Sequence, residues 1–265
     1  MLDISEEVRT RVRGAKRLQL FLDYDGTLAD FAPTPDHVEP EPDVIALVTQ
    51  LTRQPRIRIT VISGRRLDHV EQLLPVREAV LAGTYGIELR FPDGRRVDRV
   101  PFDQIRPVLE AIKPQWEDLL AGREGFFLED KAWALAIHAR YADDEEAEAV
   151  LEKARQMATV SMDDADREMF RVLGGHKFLE IGPAEAHKGK TVAYLLDRYA
   201  WSGALPLYIG DDDKDEEAFH VIQDHGGVAI KVCKPPCDTD ADGVLTSPQD
   251  VRRWLESLGG PTGQD

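Results

Sequence analysis

The stretch LQLFLDYDGTLADF, residues 18–31, constrains this chain more than any other. From Leu18 to Leu22 only Gln19 is polar, the length and composition of a strand buried on both faces of a parallel sheet. The run ends abruptly in Asp23-Tyr24-Asp25-Gly26-Thr27. Carboxylates at i and i+2 just past such a strand lie where open α/β sheets place their ligands, in the crevice beyond the strand C-termini. Gly26 lets the chain turn there. An acidic β-turn would use Asp and Gly for turn chemistry alone, but that leaves Thr27 and the later motifs without a role.

Those motifs also sit at strand and helix ends. After a charged helical lead-in over residues 3–16 and a connection marked by Pro33, Pro35, Pro40 and Pro42, a helix is expected to carry Val44, Leu47, Val48 and Leu51 on one face. RIRITVIS, residues 56–63, reads as the second strand and leads into Ser63-Gly64-Arg65. Ser63 has two readings, the N-cap of a helix over residues 66–74 or a hydroxyl that joins free backbone N–H groups in holding an anion. AVLAG, residues 79–83, is a third strand running into Thr84-Tyr85-Gly86-Ile87-Glu88, where Glu88 is expected to be solvated. Asp93-Gly94 turns a hairpin. Far downstream, HKGKTVAYLLDRY places Lys188 at the start of a helix, and LPLYIG, residues 205–210, runs straight into Asp211-Asp212-Asp213-Lys214-Asp215. A strand VAIKV and a helix capped by Ser247 complete the pattern, with the tail after it expected to be disordered.

Between these halves the character changes. QIRPVLEAIKPQWEDLL has helical spacing, with Pro114 expected to kink or interrupt it. GFFLEDKAWALAIHAR suggests two antiparallel strands turning near Asp130, followed by a helix over residues 143–157 and short strands at 170–173 and 177–181. The expected fold is therefore α/β: a doubly wound, Rossmann-like parallel-sheet core of residues 1–101 and 184–265, with an inserted α/β cap of residues 102–183.

The acidic run at 211–217 would suit a helix N-terminus. That does not explain why one strand end presents Asp211 and Asp212 beside another presenting Asp23 and Asp25. Two carboxylates about 5 Å apart repel by roughly 3 kcal/mol at an effective dielectric near 20, a cost that a divalent cation cancels. All-oxygen ligands and a phosphate partner suit Mg²⁺ better than Zn²⁺.

DYDGT resembles the first motif of the haloacid dehalogenase superfamily, and the longer DYDGTLADFAPTPDHVEP resembles the opening of trehalose-6-phosphate phosphatases. SGR resembles the second motif, Lys188 the third-motif lysine, and GDDDKDE the fourth motif, except that Lys214 stands where Thr is usual. Tyr85 likewise stands where those phosphatases carry His. The resemblance implies a Mg²⁺-dependent phosphomonoesterase acting through an aspartyl-phosphate, with trehalose 6-phosphate as the first-choice substrate. Asp23 would be the nucleophile and Asp25 the acid/base, with Thr27 holding Asp25. Lys188, rather than Lys190, would sit beside Asp23, and Ser63, Gly64 and Arg65 would bind the phosphoryl group. The metal would fall to Asp23, the backbone carbonyl of Asp25 and Asp211, with Asp212 beside them and Asp212 and Asp215 orienting water or Lys188.

In the cap, Glu129, Lys131, His138 and Arg140 form a polar set within an apolar hairpin, and the string resembles the E-x-K…H-x-R stretch of trehalose-phosphate phosphatase caps. Side chains alternate along a strand, so Glu129 and Lys131 would share one face, as would His138 and Arg140. Glu180 resembles a further sugar contact. The competing reading is a solvent-facing hairpin with cross-strand ion pairs. Sucrose-phosphate, mannosyl-3-phosphoglycerate and glucosyl-3-phosphoglycerate phosphatases and phosphomannomutase share the core chemistry and are the alternatives. A catalytically silent sugar-phosphate sensor is the remote one, and it is disfavoured because Asp23 and Asp25 are both present.

A formal net charge of −16 over 265 residues argues against nucleic-acid and anionic-membrane partners and requires that a small anionic substrate be attracted locally. The charged start lacks a signal-peptide core, so a cytoplasmic location is expected. Cys233 and Cys237, without companion ligands at zinc-finger spacing, are expected to be free thiols without function.

Overall fold

The computed structural model describes residues 3–30 and 39–259. Pro33, Pro35 and most of the tail therefore lie outside the described residues. The chain divides into two compact units, Met1–Val97 with His187–Asp265, and Asp98–Ala186. The second begins and ends a few residues outside the limits drawn from sequence pattern.

In the first unit a short strand β1 (Asp3–Ile4) and helix α1 (Glu6–Gly14) precede β2 (Leu18–Asp23). Then come α2 (Pro42–Thr52), β3 (Ile57–Ile62), α3 (Leu67–Leu73), β4 (Val80–Gly83), β5 (Glu88–Arg90) and β6 (Arg96–Asp98). The second unit holds α4 (Phe102–Leu120), β7 (Phe127–Asp130), β8 (Leu135–His138), α5 (Asp144–Ser161), α6 (Asp164–Met169), β9 (Phe170–Gly175) and β10 (Phe178–Pro183). The chain returns to the first unit with α7 (Lys188–Arg198), β11 (Leu205–Gly210), α8 (Asp213–Asp224), β12 (Val228–Val232), β13 (Gly243–Leu245) and α9 (Pro248–Leu258).

Among the described residues the first unit forms one sheet of order β1-β13-β12-β11-β2-β3-β4-β5-β6. The pairs from β13 across to β4 are parallel, while β1 and β5 join antiparallel. Strand β2 goes on to β3 on one side and has β11 on the other, so the winding reverses at the C-terminal end of β2. That is the crevice in which doubly wound sheets bind ligands.

Period-two alternation then decides which helices surround the site. Leu18, Leu20 and Leu22 pack with α2, α3 and α9 in one core. Phe21 faces the other way, into a core built from Val192 and Leu195 of α7 and Phe219 and Ile222 of α8. Asp23, two residues on from Phe21, thus ends β2 on the face covered by α7 and α8. Fully burying one such apolar side chain contributes about 1.5–3 kcal/mol, so the placement of these helices is strongly specified.

The second unit is a four-stranded antiparallel sheet of order β7-β8-β10-β9, packed on α4 and α5. Helix α4 runs uninterrupted through Pro107 and Pro114, so Pro114 does not break it. Pro114 removes the bond its N–H would make to the Glu110 carbonyl. Burial of Ile105, Leu109, Ile112, Trp116 and Leu119 outweighs that loss, and the Trp116 indole N–H donates to the Ala154 carbonyl of α5 at 3.0 Å. The expectation of free thiols is also corrected: Cys233 and Cys237 form a disulfide. The turn through Pro235 and Pro236 brings their Cα atoms to 6.4 Å, within the span that a disulfide bridges.

Candidate active site

The polar centre of the first unit is a buried knot of ion pairs. The Lys188 ammonium, at the first turn of α7, donates to Asp23 Oδ1 at 2.8 Å and to Asp215 Oδ1 at 2.6 Å. Lys188 is 3% exposed and Asp215 0%. Asp215 Oδ1 also accepts the Tyr208 hydroxyl at 2.7 Å, while Oδ2 accepts the N–H groups of Asp211 and Asp212 at 3.0 and 2.9 Å. One carboxylate thereby joins α7, β11 and the turn after β11. The close approach requires Gly210, because a Cβ there would lie 2.2 Å from the Asp215 carboxyl carbon. Lys231, buried in β12, donates to the Asp212 carbonyl at 2.9 Å and fixes the turn from the other side.

Carboxylate oxygens of Asp23, Asp211 and Asp215 lie within 4.8 Å of one another. Burial pushes the Asp23 carboxyl well above its ordinary range, against the pull of Lys188 and with help from Asp215 and Asp211. Asp211 is pushed up to about 6 by burial and then by Asp215, against Lys188. Burial alone would lower the Lys188 pKa, but Asp215 and Asp23 raise it above the ordinary lysine value. The ammonium therefore stays charged, and two crowded carboxylates reach the crevice with their charge only partly compensated. Such a set fits a hard divalent cation bound through oxygen. Asp215 is the least suited of the three to ligate, because four hydrogen bonds already occupy its two oxygens.

Other expected residues fall as follows. Thr27 donates to Asp211 Oδ1 at 3.1 Å, so the hydroxyl expected to hold Asp25 instead steadies Asp211. Asp25 is gripped by Arg65, whose Nε and Nη2 donate to its two oxygens at 2.7 Å each. Ser63 follows Ile62, the ladder partner of Asp23, and is 1% exposed. It does not cap α3, which begins only at Leu67; its hydroxyl accepts the Arg65 N–H at 3.2 Å. Glu88 caps instead, accepting from the Leu67 N–H at 3.2 Å and the Thr84 hydroxyl at 3.1 Å, so it is not merely a solvated strand residue. Gly64 lies between Ser63 and Arg65 in the same turn. Asp212 stands outside the group of three and pairs with Lys214 at 3.0 Å. Lys190 is exposed.

In the second unit the register places Glu129, Ala136 and Glu180 side by side across β7, β8 and β10, with Phe127, His138 and Phe178 in the next same-face row. Lys131 donates to Glu180 at 2.6 Å, and His138 Nε2 meets Glu129 at 2.9 Å. Arg140 lies past the end of β8 in an exposed turn rather than on the strand beside His138. Two contributors escaped sequence reading, Tyr208 and Lys231. Each is a lone polar group in an apolar strand, which was the available signal.

A family model described as trehalose-phosphatase matches residues 21–245. A probable trehalose-phosphate phosphatase of Sinorhizobium fredii is 32% identical over 242 residues, covering 90% of this chain and 86% of that protein. Trehalose-phosphate phosphatase B of Arabidopsis thaliana is 28% identical, covering 97% and 70%. Among solved structures, trehalose-6-phosphate phosphatase of Aspergillus fumigatus aligns with a TM-score of 0.68 and 26% identity over 96% of both chains. The C-terminal domain of the Candida albicans enzyme aligns at 0.83 and 20% identity over 98% of both, a likeness of fold. With the model spanning both halves of the first unit and the insert between them, the chain belongs to the trehalose-phosphatase family.

Proposed function

We infer that this chain hydrolyses trehalose 6-phosphate to trehalose and inorganic phosphate. The observation that carries the reading is Asp23, buried at the end of β2 and bonded to the Lys188 ammonium at 2.8 Å. A carboxylate so placed is aimed into the crevice as a nucleophile, and the ammonium beside it offsets charge on the incoming phosphoryl group. Attack by Asp23 on phosphorus gives an aspartyl-phosphate and releases the sugar oxygen, which takes its proton from Asp25. Water then attacks the aspartyl-phosphate, with Asp25 taking its proton. For that, Asp25 must loosen one of its two bonds to Arg65, whose guanidinium is also the natural partner for phosphate oxygens. The Ser63 hydroxyl, with Gly64 beside it, holds a remaining oxygen; the N–H groups of Ser63 and Arg65 are already given to the Ala82 carbonyl and to Ser63 Oγ. Mg²⁺, held by Asp23, Asp211 and the Asp25 carbonyl, would supply charge neutralisation at the phosphoryl group when bound. Within residues 98–186, we assign the choice of sugar to Glu129, Lys131, His138 and Glu180, with Arg140 at the margin.

The deciding experiment compares kcat/KM for trehalose 6-phosphate, sucrose 6-phosphate, mannosyl-3-phosphoglycerate and glucosyl-3-phosphoglycerate, each with Mg²⁺ and with chelator. Trehalose 6-phosphate is expected to lead by about tenfold or more, and chelator to abolish turnover. Another ester hydrolysed as fast would replace the substrate, and full activity in chelator would remove the metal.

A further inference from the structure

Tyr85 and Lys214, the two places where the motifs depart from the family pattern, are far apart in the chain yet meet in the first unit. The Lys214 ammonium stands 5.8 Å from the centroid of the Tyr85 ring. Tyr85 is a rigid wall. It is 6% exposed with φ of 55°, its N–H donates to the Ser63 carbonyl at 2.8 Å, and its carbonyl accepts the Thr191 hydroxyl at 2.7 Å. Its ring lies so close over Gly64 that a Cβ there would come within 2.8 Å of it.

Against this wall Lys214 closes on one carboxylate. Its ammonium donates to Asp212 Oδ2 at 3.0 Å, and its backbone N–H donates to Asp212 Oδ1 at 3.3 Å. Both oxygens of Asp212 are thus engaged by a single residue. The adjacent Asp211 instead faces Asp23 and Asp215. Neighbouring carboxylates on one turn therefore have different surroundings: an ammonium at 3.0 Å for Asp212 and, among the described residues, no ion pair for Asp211.

We propose that Lys214, braced on Tyr85, is a positioning residue that withholds the Asp212 carboxylate from the divalent cation at Asp23 and Asp211, and so weakens this chain's hold on that cation. The inference rests on the cation reading given above. A Thr at position 214 has no ammonium to reach Asp212 Oδ2, and that oxygen, with Oδ1 still capping the helix, would strengthen the oxygen cage directly or through water.

The test is isothermal calorimetry of Mg²⁺ binding to the full chain, as wild type, Lys214→Thr, Asp212→Asn and the double variant, with folding checked by thermal unfolding. Asn caps a helix as well as Asp does, so Asp212→Asn keeps the first turn of α8. Lys214→Thr is expected to lower the Kd about tenfold, at the modest end of what residues around a metal's ligands achieve. Asp212→Asn alone should leave the Kd near the wild-type value, and in that background Lys214→Thr should do little. An unchanged or weaker Kd in Lys214→Thr overturns this inference alone. Equal tightening with and without Asp212 also overturns it, because removal of a distant positive charge would then suffice. A wild-type chain that takes no Mg²⁺ overturns the cation reading and this inference with it.

Discussion

Replacing Asp215 by Asn keeps the size of the side chain and removes its ability to accept on both sides. As a carboxylate, Asp215 receives the Lys188 ammonium and the Tyr208 hydroxyl on one oxygen and two backbone N–H groups on the other. An amide accepts on one side only, so its NH₂ must face either the ammonium and hydroxyl or the two N–H groups. Breaking one partner out of a fully buried pair costs about 3–5 kcal/mol. Part is returned, because Asp215 is also a like charge that raises the pKa of Asp23 and Asp211. A net loss of about 3 kcal/mol corresponds to a fall in Tm of about 6–12 °C for a chain of this size. Turnover should fall about 10²-fold, because Lys188 keeps only Asp23 and the turn carrying Asp211 loses its anchor. Differential scanning calorimetry in chelator and steady-state kinetics with Mg²⁺ read the two effects. A Tm within about 2 °C of wild type would refute the claim that this knot holds the site together.

Asp25→Asn should lose about 10²–10⁴-fold on trehalose 6-phosphate and much less on p-nitrophenyl phosphate, whose leaving group needs no proton; equal losses would remove Asp25 as the acid. Glu129→Ala should lower kcat/KM for trehalose 6-phosphate by about tenfold while p-nitrophenyl phosphate changes little. Glu129 is a better probe than Glu180, whose loss would take from the buried Lys131 ammonium its 2.6 Å partner and leave Glu129 at 3.9 Å, and losses shared by both esters would show that the hairpin does not read the sugar. In chelator, Asp211→Asn should be more heat-stable than wild type at pH 7.5. The Asp211 pKa is about 6 when folded against an ordinary 3.8, so the folded chain binds its proton more tightly, and stability from this group is present below about 4 and lost as pH rises through about 6. The advantage of the variant should shrink as the pH falls through that window; a variant less stable at pH 7.5 would contradict the crowding of carboxylates described above.

What could be read from sequence was whatever a single segment carries. The apolar run of β2 and its terminal Asp23, the stripe of α2 and the Ser247 cap of α9 depend on neighbours in the chain, and periodicity exposes them. Contacts across the fold were hidden. Glu88 caps α3 from a strand 21 residues downstream, and Arg65 grips Asp25 from 40 residues away. Neither side chain has a local pattern that would aim it. Pro114 misled for the opposite reason, since its local cost is overridden by the burial of Trp116 against α5. Arg140 missed the strand by two residues, an error in where β8 ends rather than in its existence. Thr27 was legible as part of the motif but not in its partner, because Asp211 arrives from the far side of the insert.

The central claim is that Asp23 is the nucleophile for trehalose 6-phosphate. The most direct measurement is the kcat of Asp23→Asn against wild type on that ester in Mg²⁺, with thermal unfolding confirming that both are folded. An amide of nearly the same shape cannot form the acyl phosphate, so turnover should fall below about a hundredth of wild type. A folded variant that keeps more than that would contradict the claim.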